Sequence, residues 1–263
     1  MAEWNASGYQ AISGLQEAIA TEQLSRLTLA AQDRILDIGC GNGKITAAIA
    51  SRIPQGSVVG VDASQNMISF AQTNYGAPIH PNLHFEVGDA RHLTYQHEFD
   101  QIVSFNALHW VPEQEAVLHS IHAALKPRGQ ALLRFVPEGS RQSIEDVIEA
   151  VCQLPHWRPY FQHHTKPYFH PVPEAYQALV EHHGFKVLSM QVEDKSWNFQ
   201  TRQAFFAYCQ VTLAEWTRFL PEQEWPAFIT TILDRYQQVA AENPAENHTF
   251  KFYQMEIVIA PID

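Results

Sequence analysis

The chain has 263 residues, enough for one large domain or two small ones, and its 46% hydrophobic content with 12 Gly and 15 Pro excludes disorder and collagen-like repeats. The 17 Lys and Arg face 28 Asp and Glu, a formal net charge of −11 that argues against broad nucleic-acid binding, because phosphates require cations. Cys40, Cys152 and Cys209 are too few and too scattered for a disulfide framework, the opening residues lack a signal-peptide pattern, and no apolar run approaches the roughly 20 residues of a bilayer span, so a soluble, cytoplasmic protein is expected.

Ile12, Leu15, Ile19, Leu24 and Leu27 recur at helical spacing and predict an N-terminal helix. The period then changes: Arg34 to Gly39 is a short apolar run ending in glycine, the pattern of a strand buried on both faces. Helices are expected over 45–53 and 64–75, and strands over 57–62, 83–88 and 99–105. Pro112 fits the first turn of a helix running to about Leu125, Lys126 to Gly129 breaks it, and Gln130 to Val136 is the next strand. This alternation predicts a parallel sheet with helices on both faces. The second half is less regular. Ile144, Val147, Ile148 and Val151 form one apolar helical stripe, and residues 153–173, rich in Pro, His, Tyr and Trp, read as an ordered loop. A helix over 173–183 stops at Gly184, Phe185 to Val192 is a strand, 201–242 is mostly helical, and 249–259 closes as a strand.

Between the first strand and the next helix lies Asp37-Ile38-Gly39-Cys40-Gly41-Asn42-Gly43. Its glycines permit a tight turn and let backbone N–H groups approach a ligand. The spacing is GxGxG, because Lys44 stands where a dinucleotide fingerprint would continue, and no P-loop ending follows. Asp62 and Asp89 close the second and third strands, where carboxylates can accept hydroxyl or amino protons from a ligand. A generic tight turn is the plain alternative for the glycine loop alone.

Taken together these segments resemble the class I S-adenosylmethionine-dependent methyltransferases. The resemblance implies a Rossmann-like α/β fold, a mostly parallel seven-stranded sheet with helices on both faces and helical insertions forming a lid. It implies S-adenosyl-L-methionine as cofactor, with S-adenosyl-L-homocysteine as product. Gly39, Cys40 and Gly41 are similar to the loop that holds the methionine part of the cofactor, and Asp37 to the acid that reaches the same end. Asp62 matches the ribose acid, Ala63 and Met67 flank the adenine, and Asp89 with Ala90 matches the motif whose acid accepts the adenine amino group. Asn106 falls in the stretch after strand four that lies beside the reacting methyl, and Tyr9 either closes over the cofactor or is a surface aromatic.

Finer features, Trp4 to Tyr9, Leu108-His109-Trp110 and Lys195 to Phe199, are similar to juvenile hormone acid methyltransferases, the first two also to trans-aconitate methyltransferases. Those families esterify carboxylates, and the resemblance implies that Gln16 and Trp110 hold the carboxylate. Ser13 departs from the Asn often found there. The expected acceptor is the carboxylate of a small apolar acid, reached by in-line transfer. Alternatives are a phenol, amine or carbon acid with His109 as base, or a cofactor-binding protein without catalysis. Histidine pairs 163–164 and 182–183 lack companions at ligand spacing, so no metal is expected. Phe205, Phe206, Tyr208, Trp216 and Phe219 fit either an acyl pocket or plain helical core. The expected layout is a single domain over 1–263: a helical cap over 1–30, a cofactor core over 31–138, lid insertions over 139–173 and 201–247, and final strands over 185–199 and 249–259. The expected partner is a small molecule, with no nucleic acid and no membrane.

Overall fold

The structure is a computed structural model describing residues 13–77 and 79–262, with the side chains of 13, 14 and 16–20 outside the description. The expected α/β architecture is present. Seven strands, β1 Arg34–Ile38, β2 Ser57–Asp62, β3 Leu83–Val87, β4 Phe99–Phe105, β5 Leu125–Phe135, β6 Phe185–Asn198 and β7 Thr249–Pro261, form one sheet in the order β3-β2-β1-β4-β5-β7-β6. The pairs β1–β2, β1–β4, β2–β3 and β4–β5 are parallel, and β5–β7 is antiparallel. The order reverses at β1, so the helices that follow β1 and β4 lie on opposite faces of the sheet and the two loops meet at its carboxyl edge, the place where α/β sheets bind ligands.

The described α-helices are α1 Ser13–Arg26, α2 Lys44–Arg52, α3 Gln65–Tyr75, α4 Gln114–Ala124, α5 Ile144–Cys152, α6 Pro173–His182, α7 Arg202–Thr212, α8 Ala214–Thr217 and α9 Trp225–Ala240. The chain divides into two compact units. One gathers the described residues up to Pro137, Tyr168–Val192 and those from Gln254 onward; the other gathers Glu138–Pro167 and Glu193–Tyr253.

In the first unit the two-residue period of β1 separates two cores. Ile35 joins Ala47, Ile49, Ile68, Phe85 and Val103 on the side of α2 and α3. Leu36 and Ile38 join Ile102, Val117, Ile121, Tyr176 and Ile257 on the side of α4 and α6. Ser64 caps α3, its hydroxyl accepting from the Met67 N–H at 3.3 Å. In the second unit α5 opens with a reciprocal Ser143–Asp146 capping box. Its core is aromatic: Trp157 and Phe161 pack on Phe228 of α9 with ring centroids 5.1 and 5.5 Å apart.

Two strands differ from expectation. β5 starts at Leu125, pairing with Phe99, and then bulges over 126–129 before Gln101 meets Gln130. Pro127 and Gly129 signal an interruption, but the interruption sits inside the ladder and not ahead of it. β6 runs to Asn198, six residues past Val192, because the polar run Glu193 to Ser196 conceals an alternation in which 193, 195 and 197 are the more buried positions.

Candidate active site

The loop after β1 is built on close approach. Gly39 has φ +76°, and a Cβ there would lie 2.1 Å from the Cβ of Ala107, so the β1 and β4 loops touch only because Gly39 has no side chain. The carbonyl of Val61 accepts from the N–H groups of both Gly39 (2.7 Å) and Cys40 (3.1 Å), locking the turn to β2. Asp62 fixes the next step: Oδ2 accepts from Gly41 N–H and Oδ1 from Ser64 N–H, each at 2.9 Å. Both oxygens of Asp62 are thus oriented by backbone donors of the loops they serve.

Asp37 is buried behind this loop, and its Oδ2 accepts from the Thr46 hydroxyl at 2.7 Å. Burial pushes its carboxyl from 3.8 to about 7; the Thr46 hydrogen bond opposes the rise and the nearby Asp62 charge adds to it. The folded state therefore keeps a proton that the unfolded chain has released. Stability contributed here is present at low pH and lost as pH rises from about 4 through about 7, a change on the order of 4 kcal/mol. Urea melts of wild type and Asp37→Asn across that window should diverge accordingly, with the variant showing the flatter profile.

At the end of β3, Asp89 is gripped by Arg91. The Arg91 Nε donates to Oδ1 and Oδ2 at 3.0 and 3.1 Å, Nη2 donates to Oδ2 at 2.6 Å, and Nη1 reaches Glu113 Oε2 at 3.1 Å. The Arg91 guanidinium holds the Asp89 carboxyl below the usual carboxylate range. Asn106, just past β4, adopts φ +54°, a left-handed conformation that asparagine tolerates. Its buried side-chain Oδ1 has no hydrogen-bond partner.

The turn Leu108–Trp110 follows. Gln114 Nε2 donates to the carbonyls of Leu108 (2.8 Å) and Val111 (2.6 Å), and its Oε1 accepts from the Tyr176 hydroxyl at 3.0 Å, so α4 and α6 together brace the turn. His109 is buried, its Nδ1 has no partner, and burial with a contribution from His170 pushes its pKa well below the ordinary histidine value. Its ring centroid lies 5.1 Å from Trp110 and 6.0 Å from His170.

The residues singled out from sequence thus fall at the carboxyl ends of β1 to β4: Asp37, Gly39, Cys40 and Gly41 after β1, Asp62, Ala63 and Met67 at β2 and α3, Asp89 and Ala90 at β3, Asn106, His109 and Trp110 at β4. Gln16 lies in α1 with its side chain outside the description, and Tyr9 lies outside the described residues. Burial raises the Cys40 thiol well above its ordinary value, with Asp37 and Asp62 adding, which leaves it a packing group and no nucleophile. Phe205 and Trp216 sit in the core of the second unit, where Phe205 stacks on Phe199 at 4.8 Å and the Trp216 indole donates to Glu149 at 2.8 Å. His164 also meets Glu149 at 2.8 Å. Among the described residues no group of three His, Cys, Asp or Glu is placed to hold a metal, and no helix is long and apolar enough to cross a membrane.

Sequence reasoning missed Thr46, Arg91, Tyr168 and His170. Thr46 lies on the first turn of α2, three residues past Gly43, a position readable from the loop; the other three carry no spacing signal. A nucleoside-bearing ligand fits what is present. A Cβ on Gly41 would meet nothing within 4 Å, so that loop opens outward, and the orphaned Asn106 Oδ1 is a buried acceptor awaiting a donor.

Comparison with known proteins points to methyltransferases. The Methyltransferase domain family matches residues 35–129. Protein 235L of Invertebrate iridescent virus 6, whose name proposes a methyltransferase, is 27% identical over 234 residues, 89% of this chain and 85% of that protein. Trans-aconitate 2-methyltransferase of Variovorax paradoxus is 30% identical over 158 residues, which cover 60% of this chain and 59% of that enzyme. In fold, phosphoethanolamine N-methyltransferase 2 of Haemonchus contortus, solved with S-adenosylhomocysteine, superposes with TM-score 0.63 at 16% identity, over 98% of this chain and 57% of that one.

Proposed function

We propose that this chain, a class I S-adenosylmethionine-dependent methyltransferase, methylates the carboxylate oxygen of a small apolar acid. The observation that carries this reading is the braced turn at the end of β4, which sets buried His109 beside Trp110, with burial lowering the His109 pKa well below its ordinary value. An ionised carboxylate is already a nucleophile and needs no base, whereas a fixed cation would quench it. Neutral N–H donors orient it without neutralising it. The trans-aconitate relatives, named for an acid acceptor, support the same class.

The cofactor supplies a methyl group made electrophilic by its sulfonium. In this reading Asp62, fixed by the Gly41 and Ser64 amides, takes the ribose hydroxyls, and Asp89, steadied by Arg91, takes the adenine amino group. Ala63 and Met67 flank the base, and the backbone of Gly39 to Gly41 lines the methionine end with Asp37 behind it. Trp110 and Gln16 hold the acid's oxygens, Asn106 and Tyr9 complete the cofactor's surroundings, and the protein works by orientation.

A screen of carboxylic acids of graded chain length, with products tested for base-labile esters, decides the acceptor class. The unpartnered Nδ1 of His109 supports one rival: abstraction of a proton from a phenol or amine. His109→Ala should keep at least about a tenth of wild-type turnover with a carboxylate acceptor. A loss of the 10²–10⁴-fold size that general bases contribute would favour the rival.

A further inference from the structure

The first unit carries, beside the end of β4, a cluster of four planar rings, His109, Trp110, Tyr168 and His170. Segment Tyr168–His170 runs along the Leu108–Trp110 turn and is pinned to it by the Phe169 N–H, which donates to the His109 carbonyl at 2.7 Å. Four rings gather about that contact. His109 and Trp110 lie 5.1 Å apart at 42°, His109 and His170 6.0 Å at 54°, Tyr168 and His170 4.5 Å at 44°, and Trp110 and Tyr168 6.5 Å at 78°. Tyr168 and His109 are buried, while Trp110 and His170 are only partly so, so the group has a packed back and a more open front. Within it the buried His109 Nδ1 has no protein partner. A buried polar nitrogen in a braced turn, left unmatched among rings, marks a place for a ligand's polar group.

We propose that the acceptor is an aromatic carboxylic acid whose ring packs against His109, Trp110, Tyr168 and His170. The inference rests on the carboxyl-methylation reading and narrows it. Ring faces and edges carry opposite partial charge, so tilted ring pairs gain more than burial alone, and a saturated chain of equal size forgoes that gain. Trp110 then has two parts to play: its indole N–H meets the carboxylate while its ring contacts the acid's ring. Burial keeps His109 neutral, so its nitrogen can meet a polar substituent or a carboxylate oxygen without tying up the nucleophile in an ion pair.

The test compares benzoate and 2-naphthoate with cyclohexanecarboxylate and octanoate, by ester formation and by calorimetric titration of the S-adenosylhomocysteine complex. The aryl acids should exceed the saturated ones by about tenfold in kcat/KM and in affinity, the size expected of two aromatic pairs. Tyr168→Leu and His170→Leu should each reduce that ratio severalfold, and Tyr168→Phe, which keeps the ring, should preserve it. Equal use of saturated acids, or a ratio unmoved by Tyr168→Leu and His170→Leu, overturns the inference while leaving carboxyl methylation standing. Ester formation from none of the four acids would remove both.

Discussion

Replacing Arg134 with methionine is expected to lower the free energy of unfolding by about 3–5 kcal/mol, the cost of stripping one partner from a buried ion pair. Arg134 is 1% exposed at the end of β5. Its Nη2 donates to Glu22 Oε1 of α1 at 2.9 Å, and its Nε lies 3.3 Å from Glu256 Oε2 of β7. Arg26 closes the ring of charge, 3.1 Å from Glu22 and 3.6 Å from Glu256. One side chain therefore ties the N-terminal helix to two strands. Without it the Glu256 carboxylate, 12% exposed, keeps the Gln191 amide at 3.1 Å and Arg26 at 3.6 Å but loses its buried cation. Urea denaturation measures the loss. The double variant Arg134→Met with Glu256→Met should recover most of it, because a pair removed whole leaves no stranded charge. A single variant as stable as wild type would show that the network contributes nothing. Because α1 also carries Gln16, loosening the latch should lower turnover more than S-adenosylhomocysteine affinity.

The second large effect is on ligand binding. Asp62→Ala should weaken S-adenosylhomocysteine binding by at least about 100-fold, measured by calorimetry. The variant loses any charge-assisted bonds to the ligand and also frees the Gly41 and Ser64 amides that Asp62 now orients. Asp62→Asn separates the two contributions, since the amide oxygen can keep one backbone bond. It should also lower the Asp37 carboxyl from about 7, because the Asp62 charge is one of the causes that raise it. Unchanged affinity in the alanine variant would remove Asp62 from the cofactor site.

What the sequence made legible was what local rules encode. Arg34 to Gly43 announced itself by an apolar run that stops at three closely spaced glycines, and the structure places all three at positive φ. Asp62 and Asp89 were findable because strand ends are findable. The partners of those residues were not. Glu22 and Arg134 are 112 positions apart, and nothing in either neighbourhood names the other. Tyr168 and His170 sit in a stretch so crowded with Pro, His and aromatics that composition predicts order without saying which rings face which strand. The length of β6 was hidden by charges on an alternating strand, where the two-residue period survives only in burial. Pairings between distant segments are set by topology, and single-sequence patterns carry them weakly.

The second unit is made of two excursions, Glu138–Pro167 and Glu193–Tyr253, and the region matched by the Methyltransferase domain family, 35–129, lies in neither. The excursions share one interior: Trp157 and Phe161 from the first pack on Phe228 from the second, and Glu149 accepts from Trp216. The second also packs Phe199, Phe205, Tyr208, Tyr236 and Phe250 among themselves, but the face of α9 that carries Phe228 is completed by the first. In recombination between relatives the two must be inherited as a pair. A graft of one alone would part Trp157 and Phe161 from Phe228 and leave the Glu149–Trp216 hydrogen bond with one partner.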